Sequence, residues 1–150
     1  MMKKVVYIDM DGVLVDFEYG YNEVKKKYPE VQYPQNNLGF WESLPPIEGA
    51  IDAFKTLKND NRFEVYILTS PSVTNPHCYS EKRIWVENHL GFHSVHNLII
   101  SPHKGLLKGN YLIDNEVSGK GQDHFEGELI LFGSEKFNDW DKVLNYFEKI

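Results

Sequence analysis

Cysteine is nearly absent: Cys78 is the only one. No internal disulfide can form, and a reducing cytoplasm is the expected setting. No stretch approaches the ~18 apolar residues of a membrane span. The apolar run after Met1–Lys4 is broken by Asp9 and Asp11, so no secretory leader is expected. Basic residues are in the minority, 16 Lys and Arg against 22 Asp and Glu, for a net charge of −6. That balance argues against a nucleic-acid polymer as partner, but leaves room for a small anion if a divalent cation and one or two lysines reverse the field locally. The six histidines show no HExxH or zinc-finger spacing. Internal repeats and low-complexity segments are also missing.

What is present reads as an α/β chain of one domain, 1–150. Val5–Ile8 is a short β-favouring apolar run that ends abruptly at Asp9-Met10-Asp11-Gly12. Asp16 is a plausible N-cap for a helix from Phe17 to about Tyr28, stopped by Pro29. Four prolines then punctuate residues 29–46, around Gly39-Phe40-Trp41, which reads as a loop or lid. Further helices are expected over Glu48–Asn59, Ser80–Leu90 and Asn138–Lys149, and strands over Phe63–Leu68, Leu98–Ile100, Tyr111–Ile113 and Leu129–Phe132. Alternating strands and helices predict an α/β domain with a mostly parallel sheet and helices on both faces.

Ligands of such sheets bind beyond the carboxyl ends of the strands. Asp9 and Asp11 follow the first strand, Thr69 and Ser70 the second, Lys104 the third and Asp114 the fourth. These types supply what phosphate-monoester hydrolysis needs. Asp9 can attack phosphorus and form an aspartyl-phosphate; Asp11 can serve as general acid and then base. Thr69, Ser70 and Lys104 can hold the phosphoryl oxygens. Asp9 and Asp114 offer hard oxygens for Mg²⁺. Gly12 permits a sharp turn that brings backbone N–H groups close. Receiver domains use similar residues, but there Thr and Lys follow the phosphorylated aspartate's strand, whereas here Asp114 comes after both Thr69 and Lys104.

Taken singly, the same residues have plainer readings. Asp11-Gly12 is ordinary turn chemistry, and Phe40 and Trp41 serve equally as a plug over the core or as a substrate wall. Phe17, beside the catalytic turn, leans to the substrate side. Trp85 and Trp140 are expected in the core, Cys78 without a nucleophilic setting, and Gly119-Lys120-Gly121 as a mobile loop.

The set Asp9-Met10-Asp11-Gly12, Thr69, Lys104 and Asp114 resembles the four motifs of the haloacid-dehalogenase-like hydrolases. Longer stretches resemble the 5'(3')-deoxyribonucleotidases: YIDMDGVLVDFE from Tyr7, FWESLPPIEGA from Phe40, LTSPS from Leu68, YSEKRIWVENHLG from Tyr79 and YLIDN from Tyr111. The resemblance implies a Rossmann-like core with a small helical cap at about 17–46, Mg²⁺ held by Asp9, Asp114 and the Asp11 backbone carbonyl, and hydrolysis of (deoxy)nucleoside monophosphates, with Phe17, Phe40 and Trp41 enclosing the base. Three departures bear on this. Asn115 stands where the family commonly has a second aspartate, Pro102 stands where it has a basic residue, and the segment from Phe17 to Pro45 is short. A phosphatase of phosphosugars or other small metabolites, and a non-catalytic phosphate-binding domain, are the alternatives.

Overall fold

A computed structural model describes residues 2–150; Met1, part of the N-terminal reading above, lies outside the described residues. Five strands form one sheet, β1 (Lys4–Ile8), β2 (Phe63–Thr69), β3 (Leu98–Ile100), β4 (Tyr111–Asp114) and β5 (Glu128–Leu131). Their order is β3-β2-β1-β4-β5, and every pairing is parallel. The order reverses beside β1, so the crevice between the ends of β1 and β4 is the switch point at which such sheets bind ligands. Asp9 N donates to Ile113 O at 2.9 Å, which pins the first reactive residue to the strand carrying Asp114.

The described residues hold five helices: α1 (Phe17–Lys27), α2 (Ala50–Asn59), α3 (His77–Leu90), α4 (Phe92–Val95) and α5 (Trp140–Glu148). Asp16 caps α1 by accepting from Tyr19 N at 3.1 Å, and Asp139 caps α5 by accepting from Lys142 N at 2.9 Å. Each satisfies an N–H that the first helical turn leaves free. α3 begins three residues before the expected Ser80 because Asn75 Oδ1 accepts from His77 N, and α4 follows it directly across Gly91.

One expectation needs correction. The long helices do not cover both faces of the sheet. Val6, Ile8, Val65, Ile67 and Ile113 meet Phe54 of α2, Trp85 of α3 and Val143 and Phe147 of α5 in one core. The alternate strand residues, Tyr7, Leu68 and Leu112, pack instead on Phe125 and Leu107, which belong to loops and short 3-10 turns. Right-handed crossovers send connections on the two sides of β1 to opposite faces. The connections from β3 to β4 and from β4 to β5 hold only the turns Lys104–Leu106 and Gln122–His124. That second face is therefore thin, and it brings Lys104 and Gln122 to the carboxyl edge. Trp85 and Trp140 are buried as expected, each donating its indole N–H to a backbone carbonyl, of Leu44 and Val13 respectively.

Between β1 and α2 lie α1, the 3-10 turn Pro34–Asn36 and a run of turns carrying Phe40 and Trp41. No residue of α1 is fully buried; Phe17, Tyr21 and Val24 lean on the main core from above the sheet edge. Among the described residues no helix is long and apolar enough to cross a membrane.

Candidate active site

Asp9 leaves the end of β1 buried, 6% exposed, and Asp11 follows after a tight turn in which Met10 O accepts from Val13, Leu14 and Val15 N. Gly12 holds φ +81°, and a Cβ there would stand 2.1 Å from the Asn115 carboxamide. Only glycine fits both demands. The turn is thereby locked against the residue that follows β4.

Lys104 is buried at the centre. Its Nζ donates to Asp9 Oδ1 at 2.8 Å and to Asp114 Oδ2 at 2.6 Å. Burial pulls this ammonium down, but the two carboxylates outweigh it and hold its pKa above the ordinary lysine value. Burial also pushes Asp9 up, to about 7; Lys104 opposes this, while Asp114 and Asp11 add to it.

Asp114 has both oxygens engaged. Oδ2 takes Lys104, and Oδ1 takes Glu116 N at 2.9 Å, with Gln122 Nε2 at 3.5 Å from each. The group facing the Asp9–Gly12 turn is the Asn115 carboxamide, 3.2 Å from both the Asp11 carbonyl oxygen and Asp9 Oδ2. With its nitrogen inward it donates to both; with its oxygen inward, three oxygens converge on one point. That second arrangement is what a hard cation requires. The described residues hold no cluster of three or more His, Cys, Asp or Glu side chains in a metal-binding array, because this set draws on a backbone carbonyl and a carboxamide. The donors Asp9, Asp11 O and Asn115 fit Mg²⁺, while Asp114, expected among the ligands, holds Lys104 and Glu116 N with its two oxygens.

A cavity of about 480 Å³ opens over these groups. Asp9, Asp11, Gly12, Ser70, Lys104 and Asp114 line one part of it, and Phe17, Gln35 and Trp41 another. Phe17 and Trp41 stand with ring centroids 5.4 Å apart. Phe40 does not line the cavity. It is buried, edge-on against both rings at 5.7 and 5.3 Å, and backs the wall. Thr69 is wholly buried with its hydroxyl turned to Lys82, so of the expected pair only Ser70 reaches the cavity. His103 is exposed and apart from it, and burial raises the Cys78 thiol while hiding it.

A family model for the cytosolic type C 5' nucleotidases, deoxy (pyrimidine), matches residues 25–146. A protein of Vibrio phage KVP40 named for 5'(3')-deoxyribonucleotidase is 41% identical over 96% of this chain and 84% of its own length. The chain belongs to the 5'(3')-deoxyribonucleotidase family. The human cytosolic-type 5'(3')-deoxyribonucleotidase is 32% identical over 85% of this chain and 78% of its own length. The mouse mitochondrial enzyme is 30% identical over 86% and 72%. In three dimensions this deoxyribonucleotidase-family chain shares the haloacid-dehalogenase hydrolase fold. A Geobacter sulfurreducens hydrolase of that superfamily matches with a TM-score of 0.62 at 11% identity, covering 97% of this chain and 100% of the other. A Bacillus subtilis relative described as bound to magnesium matches at 0.61 and 13%, covering 93% and 90%.

Sequence reasoning missed two charged residues of this family member. Lys82 and Glu81 lie on the buried face of α3 with Cys78, Trp85 and Val86. Lys82 Nζ donates to Asp11 Oδ2 at 3.0 Å, to Ser70 O at 2.8 Å and to Thr69 Oγ1, using all three of its protons. It also stands 4.7 Å from the Trp41 ring centre. Glu81 accepts from the backbone N–H of Gly39 at 3.0 Å and of Trp41 at 2.9 Å. The available signal was a Glu-Lys pair in phase with apolar residues on a helix, since charges on a core face are placed there only when paired. Lys120, read as part of a mobile loop, lines the cavity, and its carbonyl accepts from Lys104 N at 2.8 Å.

Proposed function

We propose that the chain is a Mg²⁺-dependent phosphomonoesterase acting on deoxyribonucleoside monophosphates, with 17–46 as a small cap on one domain. The observation that carries this reading is a single cavity lined by Asp9, Asp11, Ser70 and Lys104 together with Phe17 and Trp41. Family membership supports the substrate class, since the family model's own description specifies deoxy pyrimidine 5' nucleotidases. A cytoplasmic setting fits the single buried cysteine.

In this mechanism an Asp9 carboxylate oxygen forms a bond to phosphorus as the ester P–O bond breaks, and Asp11 gives its proton to the leaving alkoxide. Asp11 then takes a proton from water as the water oxygen bonds to phosphorus and the Asp9–phosphorus bond breaks, releasing inorganic phosphate. Asp11 Oδ1 is buried and free of any partner while Oδ2 is held by Lys82, which leaves one oxygen to carry the proton. Lys104 and Ser70 supply preorganised donors to the phosphoryl oxygens. A Mg²⁺ held by Asp9, the Asp11 carbonyl and Asn115 would add positive charge there and favour the ionised form of Asp9. Asp114 keeps Lys104 in place.

Phosphate release from deoxyribonucleoside monophosphates, ribonucleoside monophosphates and sugar phosphates, each with Mg²⁺, tests the reading. Turnover is expected on deoxynucleotides and lost in Asp9→Asn. Hydrolysis of sugar phosphates alone would overturn the substrate class, and full activity of Asp9→Asn would overturn the mechanism.

A further inference from the structure

Gln35 lies in the 3-10 turn Pro34–Asn36 and lines the active-site cavity. Its Oε1 is buried without a hydrogen-bond donor. Its backbone carbonyl, by contrast, is held twice, by Trp41 Nε1 at 3.0 Å and by Asn75 Nδ2 at 2.9 Å. Asn75 is itself buried, and Thr74 Oγ1 adds a bond to Asn36 Oδ1 at 3.1 Å across the same seam. The turn is therefore anchored to the cavity wall from two sides. An anchored backbone carrying an idle amide is unusual, because buried acceptors are nearly always satisfied. An idle acceptor on a turn held in place at its backbone is suited to a donor brought by a ligand.

We propose, resting on the nucleotide reading, that Gln35 is the specificity-determining residue for the base. Its Oε1 accepts a hydrogen bond from an N–H on the edge of a nucleobase whose faces meet Phe17 and Trp41. The location favours the base over the other parts of the substrate. The backbone carbonyl of Gln35 is bonded to Trp41, at the aromatic part of the cavity, whereas the phosphoryl donors are Ser70, just after β2, and Lys104, in the turn after β3. An amide accepting from a base edge distinguishes base-bearing from base-free phosphates, and its loss is felt most when the partner N–H is left buried and unpaired.

The experiment compares kcat/KM with Mg²⁺ for dUMP, its N3-methyl derivative and 2-deoxyribose 5-phosphate, in the wild-type protein, Gln35→Leu and Gln35→Glu. In the wild type, N3-methylation is expected to lower kcat/KM about tenfold or more. Gln35→Leu is expected to lower the ratio of dUMP to deoxyribose phosphate turnover by a similar factor and to become indifferent to methylation. Gln35→Glu keeps the acceptor and retains the discrimination, which serves if the leucine variant folds poorly. Equal losses on all three substrates, or unchanged methyl sensitivity in Gln35→Leu, would overturn the assignment to Gln35. Failure of the wild type on dUMP itself would instead remove the nucleotide reading beneath it.

Discussion

Lys82 donates to Asp11 Oδ2 at 3.0 Å from a helix 71 residues further along the chain, and it does so without lining the cavity. Asp11, the proposed general acid/base, is thus held from behind, by an ammonium whose other protons go to Ser70 O and the Thr69 hydroxyl.

Lys82→Met should therefore act on turnover more than on binding. Removing the ammonium frees Asp11 to swing and strips the Thr69–Ser70 turn of its tie. We expect kcat to fall about 10²-fold or more, the scale of losing one preorganised charge group, with KM within a few-fold. Steady-state kinetics on dUMP checks it; a rise in KM at constant kcat would show that Lys82 binds substrate instead. Because the change leaves Asp11 facing a buried apolar side chain, a fall in thermal midpoint is also expected.

The pH dependence of metal binding follows from Asp9. Its folded pKa of about 7 lies above the ordinary carboxylate value of 3.8. Between those values the folded chain keeps a proton that the unfolded chain has lost, so metal-free stability should fall as pH rises from about 4 to 7. A cation bound through Asp9 must displace that proton, and apparent Mg²⁺ affinity should drop about tenfold for each pH unit below 7. Thermal midpoints with and without Mg²⁺ at pH 5.5 and 8 should show a clearly larger Mg²⁺ shift at the higher pH. Equal shifts would remove Asp9 from the metal shell.

These two residues also mark how much the sequence alone reveals. Asp9 was legible because a strand ending in Asp-x-Asp-Gly places its side chains at the carboxyl edge whatever the rest of the chain does. Lys104 and Asp114 were legible for the same reason, one strand at a time. Lys82 was not, because its role depends on how α3 docks on the sheet, and a lysine inside a helical pattern reads as a solvated face. The strands are short and apolar and stood out by period. The thin second face of the sheet did not, since nothing local in 101–110 or 115–127 reports that only 3-10 turns will form there. Asn115 shows the subtler limit: its kind was visible, but that it rather than Asp114 faces the Asp11 carbonyl required the geometry.

Glu81 ties the Gly39–Trp41 turn to α3, and its removal should loosen the aromatic wall. Its carboxylate takes the N–H groups of both Gly39 and Trp41, and it is almost wholly buried. Glu81→Ala leaves two backbone donors without partners, a cost of about 1–3 kcal/mol for each buried group left unmade. We expect lower stability in urea and a several-fold higher KM for nucleotides, as Trp41 loses its fixed position. Glu81→Gln can still accept from one N–H and should fall between. A KM unchanged in the alanine variant would mean that the wall is set by packing of Phe17, Phe40 and Trp41 alone.

Gly12 is the strictest position in the catalytic turn. An alanine there would have to hold φ +81° and place its Cβ 2.1 Å from the Asn115 Nδ2 position. The backbone strain alone costs about 1–2 kcal/mol, and relief of the contact requires Asn115 to move away from the Asp11 carbonyl and Asp9. Gly12→Ala should thus weaken Mg²⁺ binding at least tenfold and depress kcat more than it depresses stability. Asn115→Ala separates the two effects. It leaves the turn unstrained and removes only the carboxamide, so it should reproduce the loss of Mg²⁺ affinity, measured calorimetrically, with a smaller change in thermal midpoint. If Asn115→Ala binds Mg²⁺ as tightly as the wild type, the carboxamide is not a ligand, and the Gly12 effect is one of backbone strain on Asp9 and Asp11.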